Sequence, residues 1–245
     1  MADALRIERF DDRVVATLDR PGVRNAIDQA IIDELHALCA ELEASPRVLV
    51  ITGRDGVFAS GADIAQMRER RAPDAREGIN TMAFLRVRRL PMPVIAAVDG
   101  YALGGGAELA CAADIRIGTS RLKIGSPETG LGIIAAAGAT WRLPQIVGEG
   151  RAAELLLTGR LLDADEALAW GLISSVHPED ELLPAAHAIA DRIVANDSLA
   201  TQYSKRALLA PADAHPAIEL NLQAELFERP EKLARMTAFL ERKKQ

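Results

Sequence analysis

Two glutamates and a run of three glycines carry the chemistry in this chain. Residues 100–108 read Gly-Tyr-Ala-Leu-Gly-Gly-Gly-Ala-Glu, and Ser126-Pro127-Glu128 follows twenty positions after Glu108. Adjacent glycines expose main-chain N–H groups with no side chain in the way. A helix opening there points free donors and the positive end of its dipole at developing negative charge. Glu108 falls inside that helix, among Ala107, Leu109 and Ala110. A carboxyl buried there would have its pKa raised toward a useful acid–base range. Glu128 follows Pro127 on a turn and can meet the same space from another side. Together these are the parts of a site that holds an oxyanion and moves a proton beside it. Each part also has a plainer reading: a close-packed glycine turn, a solvent-facing helix glutamate and a surface turn residue.

The glycine spacing matches neither the dinucleotide fingerprint nor the P-loop. A second segment, Phe58-Ala59-Ser60-Gly61-Ala62-Asp63-Ile64, is rich in small residues that would let a ligand lie against bare backbone. Read alone it is equally an ordinary loop with Asp63 as a helix N-cap.

The elements that must position these residues can be read from periodicity. Leu5–Phe10 and Val14–Leu18 read as paired strands around Asp11-Asp12. Ile27–Leu42 has helical apolar spacing. Val48–Gly53 and Pro93–Val98 are continuous apolar runs ending near glycine, as buried parallel strands do. Asn80–Leu90 and Gly105–Cys111 read as helices, and Asp114–Gly118 as a further strand. This alternation implies an α/β core with crossover connections. Ligand sites in such sheets lie beyond the carboxyl ends of the strands, which is where both small-residue segments fall. Beyond Ile173–Val176 the pattern becomes helical: Ala164–Trp170, Leu182–Ala195, Leu199–Leu209, Pro216–Phe227 and Glu231–Glu241. The expected organisation is an α/β core over 1–190 and a helical portion over 191–245. The charged cluster within Met67–Arg76 reads as a solvated helix face or a mobile loop.

Composition narrows the class. The chain has 245 residues, 49% of them apolar, which is enough for a sizeable core. A formal net charge of −6 argues against a nucleic-acid binder, while leaving room for a local basic pocket. Cys39 and Cys111, the only cysteines, sit in apolar stretches without ligand spacing, and read as reduced buried thiols. No histidine of the four (His36, His177, His187, His215) lies near the glycine or glutamate segments. A metal site or a histidine triad is not expected. No basic-then-apolar leader opens the sequence and no apolar run is long enough to span a membrane, so the expected location is cytoplasmic.

Taken in order, the segments resemble the crotonase family, also called the enoyl-CoA hydratase/isomerase superfamily. The resemblance rests on Leu18-Asp19-Arg20-Pro21 through Asn25-Ala26-Ile27, Ser60–Ile64, Pro93–Gly106 and Glu108-Leu109-Ala110. It continues through Ser126-Pro127-Glu128, Gly130-Leu131-Gly132, Leu157-Thr158-Gly159, Ala164–Ala167, Gly171-Leu172-Ile173 and Thr237–Glu241. It implies a core of repeated ββα units with a helical C-terminal part used in trimer formation. It implies acyl-CoA as substrate, with CoA part of that substrate and no separate cofactor. By the same resemblance the backbone N–H groups of Ala62 and Gly105 form the oxyanion hole, and Glu108 and Glu128 are the catalytic pair of a hydratase. The substrate-contacting set is Arg24, Ala26, Ser60, Ala62, Asp63, Ile64, Gly104, Gly105 and Ala136. Arg24 stands where the family often has Lys near the nucleotide of CoA, and Arg20 and Arg242 are weaker phosphate candidates.

One departure bears on the activity. Where family hydratases usually show Pro-Gly-Ala-Gly-Gly-Thr, this chain reads Ala135-Ala136-Ala137-Gly138-Ala139-Thr140. The methyl of Ala136 replaces a glycine close to the reacting water. Trp141 is a candidate for either the acyl pocket or core packing. Hydration of 2-enoyl-CoA is the leading expectation. Isomerisation or other enolate chemistry on the same scaffold, and non-catalytic acyl-CoA binding, are the alternatives. The expected assembly is a homotrimer or homohexamer, with Leu220, Leu222, Leu226 and Phe227 as candidate interface surface.

Overall fold

A computed structural model describes residues 4–242. Met1–Asp3 and Lys243–Gln245 lie outside the described residues. The main sheet has six strands. They are β1 (Leu5–Arg9), β2 (Arg13–Leu18), β3 (Val48–Gly53), β5 (Val94–Val98), β7 (Ile115–Thr119) and β10 (Val176–His177), ordered β1-β2-β3-β5-β7-β10. Only the β1–β2 hairpin is antiparallel; the remaining neighbours are parallel. A second sheet contains β4 (Val57–Ala59), β6 (Tyr101–Leu103), β8 (Lys123–Gly125) and β9 (Leu161–Asp163), in the order β4-β6-β8-β9.

The continuous apolar runs are explained by helices on both faces. Side chains alternate along a strand. Leu49 and Ile51 of β3 therefore join the larger core with Ile31, Leu35, Phe84 and Leu109, while Val48 and Val50 face Leu182, Ala186 and Ala190. The first core is covered by the helices Gln29–Ala44, Ile79–Arg88 and Gly105–Ala112, the second by Leu182–Val194. Helix Gln29–Ala44 starts where Asp28 accepts a hydrogen bond from the Ile31 N–H, a side-chain N-cap. Helix Leu182–Val194 runs across position 190, the expected end of the α/β core.

Three times a long strand turns sharply into a strand of three residues: β3 into β4, β5 into β6, β7 into β8. The turn between β5 and β6 requires Gly100, because a Cβ there would stand 1.8 Å from the Gly56 carbonyl oxygen. Pairs β4–β6 and β6–β8 are parallel, so their carboxyl ends emerge side by side. This is the repeated ββα plan expected of the fold.

Most predicted elements are present within two residues of their expected ends. The four strands of the second sheet and the helices Ala139–Val147 and Glu149–Thr158 were not foreseen. Three-residue strands are too short for period-two alternation to show. The segment Met67–Arg76 is largely helical and exposed, as a solvated helix face would be. It belongs to two short helices, Ile64–Glu69 and Ala72–Glu77, and Met67, Arg70, Arg71, Asp74 and Ala75 line a cavity.

Candidate active site

Strand β4 delivers the segment 60–63, which pairs with residues 24–27. The Ser60 N–H donates to the Arg24 carbonyl, the Ile27 N–H to the Gly61 carbonyl and the Asp63 N–H to the Ile27 carbonyl. That alternation leaves the Ala62 N–H on the opposite side, without a partner among the described residues. Strand β6 delivers Gly104, whose φ of 51° and ψ of −122° form a conformation that side chains resist. Gly105 then begins the helix Gly105–Ala112, so its N–H is one of the donors a helix start leaves free. A Cβ on Gly105 would stand 3.4 Å from the Ala62 nitrogen. The two open amides are therefore neighbours.

Both acids meet them at one cavity of about 650 Å³, lined also by Ser60, Gly61, Ile64, Leu103, Ile134 and Ala136. Glu108 is 4% exposed and Glu128 is 8% exposed. Glu108 Oε1 accepts hydrogen bonds from the Ala137 and Ala139 N–H groups, at 2.7 and 3.2 Å. Burial pushes the Glu108 carboxyl up to about 7, and the nearby Glu128 charge acts in the same direction, against those main-chain donors. Burial also raises the pKa of Glu128. Its Oε2 is sealed from solvent and has no hydrogen-bond partner among the described residues. Gly104 matters here again, since a Cβ on it would come 3.1 Å from Glu128 Oε1.

The structure sorts the remaining sequence candidates. Ser60, Ala62, Ile64, Gly104, Gly105 and Ala136 line the cavity; Asp63, Ala26 and Arg24 do not. Asp63 caps the helix Ile64–Glu69 by accepting from the Gln66 N–H. Ala26 offers its carbonyl to Arg20 Nη1. Arg24 is exposed, with φ of 53°, on the loop that pairs with Ser60. Arg20 is not a free phosphate contact: it pairs with Asp28 at 2.9 Å and reaches Asp63 at 4.0 Å. Arg242 lies exposed near the end of the last described helix, Pro230–Arg242. Trp141 is 38% exposed and lies outside the cavity lining.

Three features have no counterpart in the sequence reading. The amides of Ala137 and Ala139 hold Glu108, a role that main-chain groups do not advertise in a sequence. Arg70 and Arg71 reach the cavity from a segment that looks merely charged. Asn80 lines it from the start of helix Ile79–Arg88, where it reads as a routine first-turn residue. Among the described residues, no group of three or more His, Cys, Asp or Glu is arranged to hold a metal ion.

A two-sheet α/β fold with paired carboxyls facing free amides defines a class of proteins, and comparison places the chain within it. The family model described as enoyl-CoA hydratase/isomerase matches residues 13–245, and the chain belongs to that family. Among its relatives is a crotonyl-CoA hydratase of Syntrophomonas wolfei, 39% identical, with 97% of this chain and 95% of the relative covered. A short-chain-enoyl-CoA hydratase of Clostridium acetobutylicum is 38% identical over the same shares of both chains. A crystal structure of an enoyl-CoA hydratase from Bacillus anthracis superposes with a TM-score of 0.92 at 31% identity, covering 98% of this chain and 96% of that one.

Proposed function

We propose that this protein is a hydro-lyase that adds water across the C2=C3 bond of a 2-enoyl-CoA thioester. The observation that carries the reading is the convergence of two unpartnered amides, Ala62 and Gly105, on a cavity that also buries Glu108 and Glu128. The relatives named for crotonyl-CoA and short-chain enoyl-CoA hydration support it.

The chemistry follows from charge and protons. Water attacks C3, the C2=C3 pair moves toward the thioester, and negative charge collects on the thioester oxygen. Two fixed N–H donors stabilise that charge, and loss of one such donor typically costs about 3 kcal/mol. Glu108, raised to about 7, divides between its two protonation states near neutrality and takes the proton from water as the C–O bond forms. Glu128, whose burial favours the protonated form, delivers a proton to C2, and its unpartnered Oε2 faces the reacting groups. The sum is one water added, with one proton gained by Glu108 and one lost by Glu128; exchange between the pair restores the start. Neither a metal nor a redox cofactor enters this scheme. Leu131, Ile133 and Ile134 supply apolar wall for the acyl chain. Arg24, Arg70 and Arg71 supply cationic groups for the CoA phosphates. The exposed apolar face of the last helix supports assembly as a trimer or a dimer of trimers, and two buried thiols without a disulfide suit the cytoplasm.

The test follows the loss of crotonyl-CoA absorbance. Wild type turns over, whereas Glu108→Gln and Glu128→Gln each lose about 10²–10⁴-fold in kcat, the usual worth of a general acid or base. Unchanged turnover in both variants would remove the proposed roles. Conversion of a 3-enoyl-CoA without hydration of the 2-enoyl isomer would instead favour isomerisation, the reading that the Ala136 methyl at the cavity suggests.

A further inference from the structure

We propose that Asn80 is a third donor to the thioester oxygen, a side chain that completes the cradle begun by the two main-chain amides. The proposal rests on the enolate chemistry above. Asn80 stands at the start of helix Ile79–Arg88 and lines the same cavity as Ala62, Gly105 and both glutamates. Its Nδ2 lies 3.6 Å from where a Gly105 Cβ would be, and that same point is 3.4 Å from the Ala62 nitrogen. The Ala62 nitrogen and the Asn80 Nδ2 thus both lie close beside Gly105.

The carboxamide is not engaged elsewhere. Its Oδ1 is sealed from solvent without a hydrogen-bond partner among the described residues. A buried polar atom left unpaired destabilises a fold, so a residue whose only task was packing would be better as Leu. Nothing among the described residues accepts from its Nδ2 either, so that N–H group is free for an acceptor that enters the cavity. The group that arrives at this spot, between Ala62 and Gly105, is the thioester oxygen. It is an acceptor, and its demand for hydrogen bonds rises as the enolate forms. A neutral donor aimed at it strengthens from ground state to transition state, which is the property that raises kcat rather than lowering KM.

The experiment compares wild type with Asn80→Leu, Asn80→Ala and Asn80→Asp by two readouts. The first is steady-state hydration of crotonyl-CoA. The second is the pH titration of bound acetoacetyl-CoA, whose enolate absorbs in the near ultraviolet and places its negative charge on the same oxygen. Asn80→Leu and Asn80→Ala are expected to lose about tenfold or more in kcat with KM changed less than about threefold. They are also expected to raise the apparent pKa of the bound enolate by about one pH unit, the same tenfold factor. Asn80→Asp, which removes the donor and adds an anion, loses more on both readouts. An equal enolate pKa in wild type and variants overturns the proposal, as does a rise in KM at constant kcat. A wild type that titrates acetoacetyl-CoA but does not hydrate crotonyl-CoA sinks the hydratase reading, and the enolate titration then decides the role of Asn80. Thermal melts within a few degrees of wild type exclude loss of fold as the cause.

Discussion

At the scale of residues, the buried Glu108 sets a conflict between stability and activity. Its carboxyl is raised from 4.5 to about 7. Below pH 4.5 both folded and unfolded chains carry the proton, and the group costs the fold nothing. Between 4.5 and about 7 the unfolded chain gives up its proton first, so stability falls as pH rises. Above that window the penalty is constant and amounts to at most roughly 3 kcal/mol. Glu108→Gln keeps a carbonyl for the Ala137 and Ala139 amides and removes the titration. It is expected to raise the urea midpoint at pH 8 while leaving it nearly unchanged at pH 4. An equal effect at both values would show that Glu108 is not held in this way. In its proposed role as base the same group would also set the pH dependence, because a base must be ionised. We expect kcat/KM of the wild type to fall as pH drops through about 7, an apparent value that belongs to the pair of acids rather than to one of them.

At the scale of elements, the second sheet explains what could and could not be read in advance. The buried runs Val48–Gly53 and Val94–Val98 announced their strands because apolar length is visible in a sequence. The helices announced themselves by their apolar stripes. The short strands β4, β6 and β8 gave no such signal, yet their carboxyl ends carry Ala62, Gly105 and Glu128 respectively. The cavity-lining candidates Ala62, Gly105, Glu108 and Glu128 were legible through glycine clustering and family resemblance, while the device that aligns them was not. Asn80 and the cavity-facing arginines were missed for a related reason: direction in space is not encoded by residue type alone. The second sheet also holds helix Gly105–Ala112 tightly. A Cβ on Gly106 would stand 2.4 Å from the Ala59 carbonyl oxygen and 2.8 Å from the Ala59 Cβ. Gly106→Ala must therefore push helix Gly105–Ala112 away from β4. We expect a loss of about 1–3 kcal/mol in denaturant unfolding, the usual cost of overpacking, together with loss of hydration activity. A variant as stable as wild type would contradict this packing.

At the scale of the whole molecule, apolar side chains are distributed unevenly. Leu222 of helix Ala217–Phe227 is 5% exposed and packs within the chain, whereas Leu220 and Phe227 of the same helix are 66% and 50% exposed. On the last helix, Leu233 and Met236 are 66% and 52% exposed. Several large apolar side chains left exposed on consecutive helices suit an interaction surface. With self-association as the proposed use, Leu233→Glu combined with Met236→Glu is expected to shift the sedimentation coefficient from an oligomer to a monomer. A monomeric wild type at micromolar concentration, or an unchanged double variant, would remove this helix from the interface. Among the described residues no helix is long and apolar enough to cross a membrane, so this face is not part of a helical span.

The proposed anion grip has an unusual genetic property. Ala62 and Gly105 would act through main-chain N–H groups that every residue except proline possesses, so of all replacements only one to proline deletes either donor. The acids enjoy no such protection, since a single codon change erases a carboxyl. A lineage built on this plan can therefore exchange its proton chemistry while inheriting its charge-holding chemistry intact, and new reactions on it should begin with replacements at 108 and 128.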